Sequence, residues 1–194
     1  MQTAKELFVH ELTDMLDAEQ KLVEALGKMA EDHSEEPPLQ KGFQQHQAQT
    51  EKQAERLRQI FEQIGEEPDE SECKGIKGLI EERDSFKGED PANDILSIFD
   101  VGAAIKVESY EINAYNSLID LAEQLNLNKA VKLLNQNLKE EEQTRTKLEA
   151  MSRKLKPDNL GMEEGEEMAE EEKESRPARR SPASARKGRS RTAA

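Results

Sequence analysis

"AAIKVESYEINAY", residues 103–115, decides how this chain is read. Wound as a helix, it brings Ala104, Glu108, Glu111 and Tyr115 onto one stripe, at spacings of 4, 3 and 4. Extending the stripe reaches Leu118, Ala122 and Leu125, so this face should pack inward. Two glutamates therefore lie where a core is expected. An ionised carboxylate buried alone costs several kcal/mol, so each must be neutralised, paired or bound to a cation.

The same conflict recurs along the chain. A first long helix starts at Thr3, where "TAKE" forms a capping box with Glu6, and ends near residues 32–33. Its inward stripe is Leu12, Met15, Glu19, Leu22 and Leu26. Pro37 and Pro38 open a second, because proline suits the first helical turn. That helix carries Phe43, His46, Thr50, Gln53, Leu57, Ile60 and Ile64 on one stripe, and Gly65 stops it. Residues 66–90 hold Pro68, Gly75, Gly78 and Gly88 around "IKGLIEERDSF", which reads as a connection containing a short helix. Asp90 and Pro91 are expected to cap the third long helix, which runs to about Leu125. After a turn at residues 126–128 a fourth carries Leu134, Leu138, Glu141, Arg145 and Leu148, and Pro157 stops it.

The connections run short, long, short. Short loops set each helix antiparallel to its sequence neighbour, and a long middle link is what a bundle with one crossover requires. The expected fold is all-α, a ferritin-like four-helix bundle over residues 1–157. Residues 158–194 are expected to form a disordered tail. Its stretch "EEGEEMAEEEKE" (163–174) carries eight Glu and one Lys, and "RPARRSPASARKGRSR" (176–191) carries six Arg and one Lys. Such blocks bury too little apolar surface to order themselves.

Composition agrees and excludes. Of 194 residues, 34% are hydrophobic and 36% charged, and there is no Trp, so the core is modest and helical. The tail blocks cancel, which leaves the net charge of −14 on the body. That charge argues against the body clasping nucleic acid or an anionic membrane. Any nucleic-acid contact is expected to be weak, salt-sensitive and confined to residues 176–191. The one cysteine, Cys73, permits no intrachain disulfide and reads as a half-buried packing residue. The charged N-terminus is unlike a signal peptide, and no apolar run is long enough to span a bilayer, so the expected address is cytoplasmic.

Glu19, Glu108, Glu111 and Glu141, with His46, thus place a polar group near the middle of every long helix. Four like charges in one core repel as well as desolvate. A pair of divalent cations cancels them, with carboxylates bridging and imidazole donating nitrogen, which points to two iron or manganese ions. Tyr110 and Tyr115 read as packing residues beside such a pair, and His10 and His33 as solvated. No nucleophile triad, phosphate loop or cysteine cluster is present.

The stretches "LTDMLDAEQKLVEAL", "HQAQTEKQAERLRQIFE", "CKGIKGLIEE", "AAIKVESYEINAYNSLIDLAEQL" and "KLLNQNLKEEEQT" resemble the YciE/YciF family of bacterial stress proteins. The resemblance covers about residues 4–156 and implies a ferritin-like bundle, a dimetal site, homodimerisation and a part in stress responses. Carried over by position, it implies Glu19, His46, Glu108, Glu111 and Glu141 as ligands, with Gln49 where the family usually has an acid. Ser109 stands where the family often has His, and the fourth helix reads Glu141-x-x-Thr144 without the second His of ferritins. The expected function is a dimetal-carboxylate protein acting on oxygen, peroxide or iron. The alternative is a metal-poor helical scaffold for protein–protein interaction.

Overall fold

The structure is a computed structural model that describes residues 1–160. Five helices follow in order: α1 Ala4–Asp32, α2 Pro37–Ile64, α3 Lys74–Lys87, α4 Asn93–Gln124 and α5 Asn128–Ser152. Residues Met1–Pro157 form one compact unit. The expectation for the tail lies outside the described residues. Among them, no helix is long and apolar enough to cross a membrane.

The α1 start is the capping box: Thr3 Oγ1 accepts from the Glu6 backbone N–H at 3.1 Å, and the Glu6 carboxylate accepts from the Thr3 N–H at 3.2 Å. Gly65, at φ +70°, ends α2 in the left-handed conformation that glycine adopts at least cost. Two expected boundaries move. Asp90 is left-handed (φ +55°) with its N–H bonded back to Lys87 O, so it closes the turn after α3 and leaves the α4 N-cap to Ala92. Helix α5 ends at Ser152, five residues ahead of Pro157, and turn bonds from Lys154 and Leu155 N–H back to Met151 O follow it.

In the bundle, α1 packs on α2 and α4, and α5 packs on α2 and α4. His33, just past the end of α1, meets Asp100 near the start of α4, so α4 begins at the end of the bundle where α1 finishes. It therefore runs antiparallel to α1 and parallel to α2. Residues 65–92 must carry the chain back along the bundle, and this is the ferritin-like crossover. Helix α3 lies in that link against α1 and α4. At its start Cys73 N–H donates to Asp17 Oδ2 at 2.7 Å. The approach to α4 is close: a Cβ on Gly75 would fall 2.5 Å from Tyr110 Cε2. Cys73 is fully buried rather than half-buried, since α3 seals it against Tyr110, whose Oη lies 3.3 Å from Sγ.

The fourth helix corrects a second expectation. Its inward stripe passes through Ala130, Leu134, Asn137, Glu141, Thr144 and Leu148, while Leu138 and Arg145 sit at the edge. Arg145 pairs with Glu149 in solvent at 3.0 Å.

His33 is buried, not solvated, and is only 2% exposed. Its Nε2 lies 2.9 Å from Asp100 Oδ2 and its Nδ1 3.3 Å from Glu36 Oε1, and its ring stacks on Phe43. Arg83 of α3 grips Asp100 through Nε (2.9 Å) and Nη2 (2.7 Å), and also reaches Asp32 at 2.7 Å. Ser97 donates to Glu36 at 2.6 Å, and Lys87 bonds Asp32. These groups come from α1, α3, α4 and the α1–α2 turn, so one ion-pair network fastens that end of the bundle. His10, by contrast, is exposed.

Both His33 nitrogens face carboxylates, and only imidazolium can donate to both. Burial pulls its pKa down, but the hydrogen bonds and charges of Asp100 and Glu36 outweigh this and the net shift is upward. Its stabilising contribution is thus complete below the ordinary histidine pKa and is lost as pH rises through the raised one. We expect His33→Gln to lower unfolding free energy by about 1–3 kcal/mol at pH 6, with the deficit shrinking by pH 9. Urea titrations of both proteins at the two pH values check this; an equal deficit at both would remove the imidazolium role.

Candidate metal centre

Every bundle helix sends a polar side chain to one level of the core. Glu19 comes from α1, His46 and Gln53 from α2, Glu108 and Glu111 from α4, and Glu141 from α5. The i,i+3 spacing of Glu108 and Glu111 sets their heads over neighbouring positions of the same face. All four glutamates are at most 1% exposed.

They form two groups that share one member. One donor atom from each of His46, Glu108 and Glu141 lies within 4.8 Å of the others, and the same holds for Glu19, Glu111 and Glu141. His46 Nε2 is 2.9 Å from Glu108 Oε1. Glu141 belongs to both groups. Gln49 is not drawn in: it is half-buried and its Nε2 donates to Thr144 Oγ1 at 2.9 Å.

The electrostatics show how strained this level is without positive charge. Burial pushes Glu19, Glu111 and Glu141 well above the carboxylate range, and charge from neighbouring glutamates adds to it. Glu108 is pushed up to about 8 by burial, partly offset by the neighbouring Glu141 carboxyl. The two can share a proton. Burial, then the charge of Lys147, brings His46 down to about 4, so it is a neutral donor at pH 7. Glu19 Oε2, His46 Nδ1, Gln53 Oε1, both Glu108 oxygens, Glu111 Oε1 and Glu141 Oε2 are buried with no hydrogen-bond partner among the described residues. Buried polar atoms are nearly always satisfied, so seven orphans at one level mark an unmet demand. Carboxylate oxygens with one imidazole nitrogen suit iron(II) or manganese(II), and the residues fit such a pair.

Partners outside the groups hold these ligands in place. Tyr115 Oη donates to Glu19, and Asn137 Nδ2 donates to Tyr115 Oη at 2.9 Å. Arg56 donates to Asn137 Oδ1 and to Glu140 Oε2, both at 2.7 Å. Gln53 Nε2 donates to Glu141 Oε1. Tyr115 therefore does more than pack, and burial raises its pKa so that it remains a donor. Sequence reasoning placed Gln53 on the inward stripe without giving it a role, and passed over Asn137. The available signal was position: Gln53 follows His46 by two turns on the same face, and Asn137 precedes Glu141 by one.

The comparisons agree with this architecture. A model of the family described as "Domain of unknown function (DUF892)" matches residues 3–161. Protein YciF of Escherichia coli K12 is 38% identical over 149 residues, spanning 76% of this chain and 89% of that protein. The crystal structure of the E. coli stress protein YciF superposes with a TM-score of 0.75 at 37% identity, over 78% of this chain and 96% of that one. YcfI from Rhodopseudomonas palustris, named there as a candidate structural protein, gives 0.73 at 40% identity over 77% and 94%. A protein from Xanthomonas campestris, 17% identical with a TM-score of 0.63 over 89% and 99%, shares the fold. Matched along its whole bundle by family model, sequence and structure alike, this chain belongs to the DUF892 family, that of the YciF stress protein.

Proposed function

We propose that the protein is a dimetal-carboxylate protein of stressed cells that holds two iron or manganese ions per chain. The observation that carries the reading is the set of four buried carboxylates, each with an oxygen that no described residue satisfies, in two groups joined at Glu141. His46, Glu108 and Glu141 would hold one ion and Glu19, Glu111 and Glu141 the other. Bound there, such a pair would supply one-electron chemistry toward dioxygen or peroxide, removing oxidant or oxidising iron. The charge count supports divalent ions, since four carboxylates with a neutral His46 match two of them.

The surroundings support access from one side. A groove of about 390 Å³ opens beside His46, lined in part by Gln49, Thr144, Lys41 and Lys147. Its two lysines favour small anions at the mouth, whereas Glu19 and Glu111 lie deeper. Cytoplasmic placement and a homodimer belong to the same reading and rest on the family. The rival reading is a helical scaffold, for which the inward carboxylates have no use. Elemental analysis of pure protein, prepared with and without added iron or manganese, decides between them. We expect up to two ions per chain; less than about 0.2 in both preparations, with no binding on titration, would leave only the scaffold.

Two further outcomes follow from the raised carboxylate pKa values. At pH 7 incoming cations must displace protons from Glu108 and its neighbours. Calorimetric titration in buffers of different ionisation enthalpy should therefore show proton release on metal binding, and buffer-independent heats would contradict it. Without metal, the folded chain binds more protons than the unfolded one between the ordinary glutamate pKa and about 8 for Glu108. The apo protein should lose on the order of 3 kcal/mol across that window. Glu108→Gln should flatten this loss and abolish binding at the His46 group. A variant that keeps the full pH slope would show that Glu108 is not its source.

A further inference from the structure

Gln53 is a neutral side chain of the centre whose amide oxygen the dimetal reading leaves without a part, and its environment is unusual. It is 0% exposed, in the middle of α2. Its Nε2 donates to Glu141 Oε1, on the carboxylate that joins the two groups. Its Oε1 is buried with no hydrogen-bond partner among the described residues. An amide oxygen in that condition costs about 1–3 kcal/mol, which a residue chosen only for packing would avoid.

Its neighbours place it beside the deeper group. The Gln53 backbone carbonyl accepts from Asn137 Nδ2 at 3.3 Å. The same Asn137 nitrogen donates to Tyr115 Oη at 2.9 Å, and Tyr115 donates to Glu19. Gln53 is thus tied through Asn137 and Tyr115 to Glu19, and directly to Glu141. Those are two of the three members of the deeper group, and the imidazole of His46 serves the other. The His46 group has a neutral nitrogen donor beside its carboxylates, while Glu19, Glu111 and Glu141 are all carboxylates.

Resting on the dimetal reading, we infer that Gln53 is the neutral oxygen donor of the deeper metal position, completing the set of Glu19, Glu111 and Glu141. Its amide oxygen faces a cation there, while its amide N–H steadies Glu141. Neutrality is the second half of its role. A fifth carboxylate at this point would leave the centre with excess negative charge when two divalent ions are bound, and buried excess charge is costly. Gln53 adds a ligand without adding charge, and so fixes the centre for two divalent ions.

The experiment is a cobalt(II) titration of the full chain, followed by visible absorption and calorimetry, with folding of each protein checked by circular dichroism. The wild type should bind two equivalents. Gln53→Met keeps length and apolar bulk but removes oxygen and N–H; it should bind the first equivalent as before and the second roughly tenfold or more weakly. Should it fail to fold, Gln53→Asn, which withdraws the oxygen by one methylene, takes its place with the same expected loss. Gln53→Glu keeps an oxygen donor but loses the N–H. It should retain the second equivalent and bind terbium(III), read by luminescence, roughly tenfold more tightly than the wild type does. Unchanged two-step binding in Gln53→Met overturns the inference and leaves the dimetal reading standing. Loss of the second equivalent in both Gln53→Met and Gln53→Glu also overturns it, because only the N–H would then matter. A wild type that binds no cobalt overturns the dimetal reading itself.

Discussion

Four carboxylates share one level of a narrow helical core, and the surroundings of that level answer to their repulsion. Bundles of this size normally fill such a level with leucine. Here Glu19, Glu108, Glu111 and Glu141 take those places, and the residues next to them are chosen to donate: Tyr115 to Glu19, Gln53 to Glu141, Asn137 to Tyr115. Removing one donor would leave a buried carboxylate with still less compensation. The apolar residues on either side (Leu12, Met15, Leu22, Leu57, Leu118 and Leu134) are packed to exclusion of solvent, and supply the burial that makes the carboxylates demanding.

A second polar cluster shows the opposite solution to the same problem. At the end of the bundle His33, Arg83, Lys87, Asp32, Glu36 and Asp100 pair with one another, so their charges are matched within the chain. Burial raises the carboxyl pKa of Asp100, yet its bonds to His33 and Arg83 bring the net shift below the ordinary value. Glu19, Glu108, Glu111 and Glu141 shift the other way. That contrast separates a structural ion-pair network from a centre that lacks its counter-charge.

What could be read from sequence was what depends on periodicity. The 4-3-4 spacing around Glu108 and Glu111 placed them inward, and the caps at Thr3 and Gly65 fixed two helix ends. What could not be read depends on partners far away in the chain. His33 is apparently terminal and polar, and only Asp100 and Arg83, brought by the crossover, make it internal. In α5 the leucines at 134, 138 and 148 drew the stripe toward Leu138 and Arg145. The fold turns Asn137 and Thr144 inward instead, because Arg56, Tyr115 and Gln49 wait there to bond them. Asp90 and Pro91 looked like a cap because both residue types favour helix starts, but the backbone of Asp90 was already committed to closing the preceding turn.

The crossover also orders events in time. Helices α1 and α2 form one hairpin and α4 and α5 another, each closed by a short turn and held by contacts between sequence neighbours, which form early. The first hairpin carries Glu19, His46 and Gln53, and so only one carboxylate of the centre. The second carries Glu108, Glu111 and Glu141. A chain growing from its N-terminus therefore completes the hairpin with one of the four carboxylates before the hairpin with the other three exists. The full repulsion among the four is met only when the two halves dock, after the long link has closed. Assembly of the two halves, rather than formation of any helix, is the step that a cation can promote.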